Sequence, residues 1–242
     1  MIASITGING FLGSALNKRL LSMGWETHPM PVKEADLMFL FGSASSNHWY
    51  ERASSYNIKE TIDNFINAAD FCKENNIKLI YPSSGTIHEG KNAYSKCKLI
   101  LEILASLYPK TLGLRIFATF GPGEAHKGEY ASTIYQFIKE MKKSKRPVIW
   151  GDGEQTRDFI YIDDVIDNII KNLNEEGTVE IGSGRNYSLN ETVDTINEVM
   201  GTNIKAKHIS KPKNYIETTI CEKPSLCNVS FEGGIRKVIE SL

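Results

Sequence analysis

The chain has little of what would place it in several large classes of protein. Its four cysteines, Cys72, Cys97, Cys221 and Cys227, form no C-x-x-C pair and have no histidine at metal-ligand spacing. That pattern excludes a disulfide scaffold and a zinc module, and it fits reduced thiols in a cytoplasmic protein with no metal site. No apolar run reaches the roughly 20 residues that would cross a bilayer. The first ten residues, MIASITGING, carry neither the basic region nor the cleavage site of a signal peptide. Charge of one sign is also missing: 28 basic residues face 29 acidic ones, for a net charge of -1. A nucleic-acid footprint is therefore not expected. Internal repeats and low-complexity tracts are absent, so the 242 residues must fold as ordinary globular units.

What is present is an alternation of short apolar runs and amphipathic segments. Ile2–Thr6, Asp36–Phe41, Lys78–Tyr81 and Thr111–Phe117 read as buried strands. Phe11–Met23, Ile58–Glu74 and Tyr94–Leu107 read as helices, the second with Ile58, Ile62, Phe65, Ile66, Ala69 and Phe71 on or near one face. Strands spaced by helices of this length predict βαβ units and a parallel sheet covered on both faces. Beyond Gly121-Pro122-Gly123 the pattern predicts a helix over Tyr130–Lys143 with a basic end, where cations complement the dipole. Short strands follow at Pro147–Trp150, Asp158–Ile162 and Val179–Ile181. Asp163 or Asp164 is expected to cap a helix running through Leu173. Ser188-x-x-Glu191 is a capping box opening a helix to Met200. The last forty residues promise only weak, short elements. The expected class is α/β: a Rossmann-type doubly wound parallel sheet over 1–120 with 155–183 returning to it, and a smaller C-terminal α/β substrate lobe from 121–154 and 184–242.

The segment Thr6-Gly7-Ile8-Asn9-Gly10-Phe11-Leu12-Gly13 sets three glycines at three-residue intervals between a strand and a helix. Gly7 permits the tight turn, Gly10 the approach of backbone to a pyrophosphate, and Gly13 the close packing of helix on strand. The helix N-terminus adds free N–H groups and a favourable dipole, so the turn predicts dinucleotide binding. One usual companion is missing. An acidic residue for the adenosine ribose belongs near 29–33, where the sequence reads Pro-Met-Pro-Val-Lys. Too few residues separate Gly24 from Asp36 for a strand, a crossover helix and another strand. The sheet is expected to be shortened on its strand 2/3 side.

Tyr94 and Lys98 are four apart on a predicted helix and so share a face. Ser83 and Ser84 end the strand KLIYPSS, where such sheets present ligands. A tyrosine beside an ammonium can move a proton to or from a sugar hydroxyl, with a serine hydroxyl holding the same oxygen.

Taken in order, T-G-x-x-G-F-L-G, Ser-Ser and Y-x-x-x-K followed by Leu99-Ile100-Leu101-Glu102 resemble the extended short-chain dehydrogenase/reductase family. Within it the chain is similar to the NAD-dependent nucleotide-sugar epimerase/dehydratase group, in a shortened form. The resemblance continues through Arg115-Ile116-Phe117, Gly151 to Val165 (GDGEQTRDFIYIDDV) and Ile181-Gly182-Ser183-Gly184. It implies Ser84, Tyr94 and Lys98 as the catalytic set. For the cofactor it implies Gly7, Asn9, Gly10, Phe11, Leu12, Gly13, Gly42, Ser43, Asn57, Ser83 and Phe117, with Tyr94 and Lys98 touching it as well. For substrate it implies Ser84, Thr86, Tyr94 and Arg157, the last gripping a diphosphate with its planar fork. NAD is the implied cofactor, with NADP left open by the missing ribose acid. The implied partners are a nucleotide-diphosphate sugar and a second copy held through a helix pair, with no membrane and no nucleic acid.

Ala118 and Glu180 replace asparagines usual in the family, and Ser84 and Tyr94 are only ten apart, which trims the loop between them. Gly85 and Thr86 stand where a 4,6-dehydratase needs an acid and a base, and no acid follows until Glu89. Thr86 also lacks the acidity a 3,5-epimerising enzyme would want. His88 is of a residue type suited to proton traffic but reads here as an ordinary loop histidine. Oxidation and reduction at a sugar carbon remain. A 4-epimerase is the preferred reading, with a 4-ketoreductase or a non-catalytic nucleotide-binding relative as alternatives.

Overall fold

The structure is a computed structural model, and it describes residues 1–43, 50, 54–212 and 215–242. The chain divides into two compact units, residues 1–116 with 166–180 and residues 117–165 with 181–242. Among the described residues no helix is long and apolar enough to cross a membrane.

The first unit is built on a six-stranded sheet. Its strands are β1 (Ile2–Thr6), β2 (Glu26–His28), β3 (Leu37–Leu40), β4 (Lys78–Ser84), β5 (Thr111–Ile116) and β9 (Gly177–Ile181), in the order β2-β1-β3-β4-β5-β9. The pairs β1 to β2, β1 to β3, β3 to β4 and β4 to β5 are all parallel. Helices α1 (Phe11–Ser22), α2 (Ser54–Glu74) and α3 (Ala93–Ala105) supply the crossovers. All four residues of β3 are buried, which requires cover on both faces. Met38 and Leu40 join Phe65, Ala69 and Cys72 of α2 and Leu101 of α3 in one apolar cluster. By alternation Leu37 and Phe39 face the other side. There, Arg19 of α1 meets Asp167 of α5 (Ile162–Lys171) at 2.7 Å.

The shortened side has a concrete form. Between β2 and β3 no helix intervenes, and residues 29–36 return directly to the sheet. Two side chains pin this return: Ser4 Oγ accepts the Val32 amide at 3.1 Å, and the Asp36 carboxylate accepts the Ile2 amide at 2.8 Å. Asp36 is thereby engaged at the start of β1, the end of the strand remote from the glycine turn.

The second unit holds two small sheets. One has the order β10-β8-β6, from β6 (Ala118–Phe120), β8 (Thr156–Tyr161) and β10 (Asn186–Ser188); β6 runs parallel to β8 and β10 antiparallel. The other pairs β7 (Val148–Trp150) with β11 (Lys207–Ile209) in parallel. Helices α4 (Thr133–Met141), α6 (Leu189–Met200) and α7 (Phe231–Ser241) complete the unit. Ser188 and Glu191 form the reciprocal capping box expected at the start of α6.

Two expectations fail here for clear reasons. Helix α5 begins at Ile162, so Asp163 and Asp164 lie inside its first turn and neither is its cap. The Asp164 carboxylate turns to the amides of Asn228 (2.8 Å) and Val229 (3.2 Å) instead, which fastens the C-terminal segment. That segment also ends in a firm helix rather than weak elements. Within α7, Gly234 is where the helix meets an aromatic ring. A Cβ there would come within 2.7 Å of Phe120.

Candidate active site

The glycine turn is a structure made by backbone. Gly7 has φ +69°, a conformation side chains resist, and a Cβ on it would sit 2.8 Å from the Gly42 backbone. The Gly10 amide donates to the Gly7 carbonyl at 2.8 Å, closing the turn. A Cβ on Gly13 would lie 2.1 Å from that same carbonyl oxygen, so the first turn of α1 packs on the end of β1 only because residue 13 is glycine. Gly10 caps α1 without any side-chain hydrogen bond, and no acidic residue sits in the first turn. A helix N-terminus without a side-chain cap or an acidic first turn is suited to an anion. Gly42 is drawn into the same corner, its amide donating to Thr6 Oγ1 at 3.2 Å, with Ser43 next to it in the chain. Asn9 is exposed, Phe11 and Leu12 are half-buried, and Asn57 is buried on α2. These features fit a dinucleotide pyrophosphate, and they would hold it by main chain rather than by charge.

The second part of the site is made by side chains. Strand β4 ends at Ser84, which caps a single 3₁₀ turn, Gly85–His88, by accepting the Thr86 amide at 3.2 Å. Asn92 then caps α3 through the Ser95 amide at 2.8 Å, which places Tyr94 and Lys98 on consecutive turns of one helix face. The hydroxyls of Ser84, Thr86 and Ser95 form a short chain with 2.9 Å between successive oxygens. The Ser84 hydroxyl is near enough to the Tyr94 phenol to lower its pKa. The Lys98 ammonium lies 5.6 Å from the centre of the Tyr94 ring.

Burial governs the charges. Lys98 is only 1% exposed, and desolvation brings its ammonium down to about 8. It remains a cation at neutral pH, but one held with little solvent. Desolvation pushes the Tyr94 phenol up to about 12, against a lowering by the Ser84 hydroxyl. The tyrosine of this structure is thus protonated at neutral pH, and a further positive group beside it is what would make it a base.

Ser83 is turned away from this cluster. Its hydroxyl donates to Glu102 Oε1 at 2.5 Å, and Glu102 also holds Arg115 through two bonds of 2.9 and 2.8 Å. The side chain is committed to that ion pair, and the backbone of Ser83 is what it has to offer a ligand. One neighbour of Tyr94 had no signal in the sequence. The ring of Tyr50 meets that of Tyr94 edge to face at 5.3 Å, and its buried hydroxyl lies 2.7 Å from Thr61 Oγ1. Nothing in the spacing of Tyr50 marks it, because residues far apart in the chain meet here only in three dimensions.

Phe117 and Arg157 belong to the second unit. Phe117 is buried, with its amide on the Ile181 carbonyl at 3.0 Å and its ring against Gly182. Arg157 donates to the carbonyls of Thr156 (2.7 Å), Glu217 (3.3 Å) and Ile216 (2.8 Å), and its guanidinium lies 5.3 Å from the Tyr215 ring centre. The neighbouring Asp158 is fully buried and accepts from Ser183, Gly184 and Cys221. It braces the Gly-Ser-Gly segment and leaves the arginine to its carbonyl partners.

Residues 30–183 match the NAD dependent epimerase/dehydratase family. The chain belongs to that family. Among curated members, it is 26% identical over 212 residues to UDP-glucuronate 4-epimerase of Thermodesulfobacterium geofontis, covering 75% of this chain and 64% of the relative. It is 30% identical over 183 residues to a putative UDP-glucose 4-epimerase of Methanocaldococcus jannaschii, covering 62% and 60%. The chain thus spans somewhat over half the length of the curated epimerase/dehydratase relatives it matches. In three dimensions it resembles UDP-glucose 4-epimerase of Thermotoga maritima, solved with UDP-glucose, at TM-score 0.90 and 19% identity over 100% of this chain and 98% of the other. It also resembles the Thermus thermophilus UDP-glucose 4-epimerase complex with NAD, at TM-score 0.89 and 19% identity over the same shares. The Rossmann-type α/β fold of the epimerase/dehydratase family is established for this chain by these matches. The glycine turn lies ahead of the matched residues, so its assignment rests on its own geometry.

Proposed function

We propose that the protein is an NAD-dependent nucleotide-sugar 4-epimerase. The observation that carries the reading is the Ser84–Tyr94–Lys98 cluster, set at the end of β4 in the same unit as an uncapped glycine turn. Support comes from family membership and from curated relatives named as 4-epimerases. When bound, a nicotinamide supplies the acceptor and donor of hydride. Gly7 to Gly13 would hold its pyrophosphate, with Gly42, Ser43, Asn57 and the backbone of Ser83 alongside and Phe117 near the ring.

The chain's own residues supply the proton chemistry. Ser84 orients the sugar C4 hydroxyl, and Tyr94 removes its proton as the carbon is oxidised and returns one when it is reduced. Lys98 stabilises the phenolate through its charge. Thr86 holds the sugar, and Arg157 grips the diphosphate, exchanging carbonyl partners for phosphate oxygens. Elimination of water is disfavoured by the turn itself. Gly85 and Thr86 carry no carboxyl group, and the first acid, Glu89, is paired with Lys91 at 2.6 Å.

The test is incubation of the purified protein and NAD with UDP-, GDP- and dTDP-sugar pairs, with products separated by chromatography. Interconversion at C4 is the expected result. Reduction of a 4-keto sugar at the expense of added NADH or NADPH, without interconversion, would indicate the ketoreductase. Binding without any turnover would indicate a non-catalytic relative. A second copy of the chain is the proposed protein partner. Tyr56 on α2, Leu99, Ile100 and Ile103 on α3, and Leu107 just beyond it, are exposed apolar side chains of two packed helices. A dimer mass in sedimentation equilibrium, lost in Ile103→Lys, is the result expected.

A further inference from the structure

Two residues beyond the catalytic set hold the turn that carries it. The turn Gly85–His88 starts at Ser84, and its near end is fixed by the hydroxyl chain through Thr86 to Ser95. Its far end is fixed by a contact to the sheet. Glu180, the residue standing in place of the usual asparagine on β9, accepts a hydrogen bond from His88 Nε2 at 2.7 Å. The carboxylate is largely buried and also lies 3.7 Å from Arg115 Nη1, whose other bonds go to Glu102. Glu180 is thus anchored to the sheet while His88 is tethered to it.

We propose that His88 and Glu180 form a positioning pair that fixes the turn presenting Ser84 and Thr86 to substrate. An asparagine at 180 would be shorter and neutral, and so a poorer acceptor for the imidazole at this distance. Here only nine residues separate Ser84 from Tyr94, and one largely buried acceptor holds the far end of the turn between them. Small displacements of a substrate-orienting hydroxyl are costly to turnover while leaving cofactor binding alone. The consequence for turnover rests on the epimerase reading, whereas the tether itself does not.

The experiment is a double-mutant cycle with His88→Ala, Glu180→Ala and the combination, together with Glu180→Gln, read in two ways. Hydrogen–deuterium exchange of the peptide spanning 85–90 is expected to rise in each single variant, with no further rise in the double. On the sugar substrate, kcat is expected to fall about tenfold in each single variant and no further in the double, with KM for NAD within about twofold of the parent. Glu180→Gln, which still accepts from the imidazole, is expected to recover kcat to within about threefold. Additive losses, unchanged exchange, or a glutamine variant as impaired as the alanine one would overturn the proposal. Should the parent protein turn over no nucleotide sugar, the epimerase reading fails and the exchange cycle alone decides the tether.

Discussion

The glycine turn and the Tyr94 cluster sit in one unit, at the ends of neighbouring parts of one sheet, but they are built from opposite materials. The turn works by what its residues lack. Gly7 and Gly13 leave room for backbone to touch backbone, and no side chain caps the helix above them. The Tyr94 cluster works by what its residues carry: a phenol, an ammonium and three hydroxyls held in partly dry surroundings. A site of the first kind is disturbed by adding atoms, and one of the second kind by removing them. Each kind of change should therefore affect a different measurable step.

Removing atoms should have the largest effect. Tyr94→Phe takes away one oxygen and is expected to lower kcat about a thousandfold, with NAD affinity and the melting temperature near those of the parent. A phenylalanine variant that still turns over at a tenth of the parental rate would break the contrast. Next comes the addition of one methyl group at the turn. Gly13→Ala places a carbon against the Gly7 carbonyl oxygen, and NAD affinity measured by fluorescence titration should fall about a hundredfold. Circular dichroism should still report the folded sheet and helices.

The third effect is on stability and has a definite sign. Lys98 titrates at about 8 when folded and at its ordinary 10.5 when unfolded. Between those values the unfolded chain holds more protons, so the lysine's cost to stability shrinks as pH rises through that window. Lys98→Met should consequently melt a few degrees higher than the parent at pH 7. The two melting curves should converge from pH 8 towards 10.5, as followed by calorimetry on the cofactor-free protein. A constant gap across that range would remove burial of charge as the organising feature of the cluster. The smallest effect concerns the shortened side of the sheet. No acid stands at residues 29–33 to repel a 2′-phosphate, and Asp36 is occupied at the start of β1. NADP is accordingly expected to bind within about tenfold of NAD.

The same contrast explains which features could be read from the sequence. Backbone demands are legible because so few residues meet them: three glycines between a strand and a helix leave few other readings. Tyr94 and Lys98 are legible because helical periodicity converts a spacing of four into a shared face. Where a side chain has a choice of partners, sequence is a poorer guide. Asp164 is a good capping residue by type, but distant amides at 228 and 229 outcompete the local helix end. Helix α7 is weakly signalled because its two glycines lower helix propensity, and the reason for Gly234, the ring of Phe120, lies far away in the chain. Ser83 and Ser84 are alike in sequence, and the pleat sends one hydroxyl to Glu102 and the other to Thr86 beside Tyr94. Tyr50 has no local pattern to announce it, and Glu180 stands out in the sequence only as a replaced asparagine, with nothing to show that its partner is His88.

The missing crossover between β2 and β3 also decides how the sheet ends. It makes β2 the outermost strand, and that strand is three residues long, with Glu26 and His28 joined at 3.0 Å. An open strand edge invites another chain to extend the ladder, and short, charged edges are one way natural sheets refuse. By stopping so early and ending in polar side chains, the truncated edge offers too little unpaired backbone to seed growth of sheet upon sheet. The shortened platform thus ends in a brief, polar border.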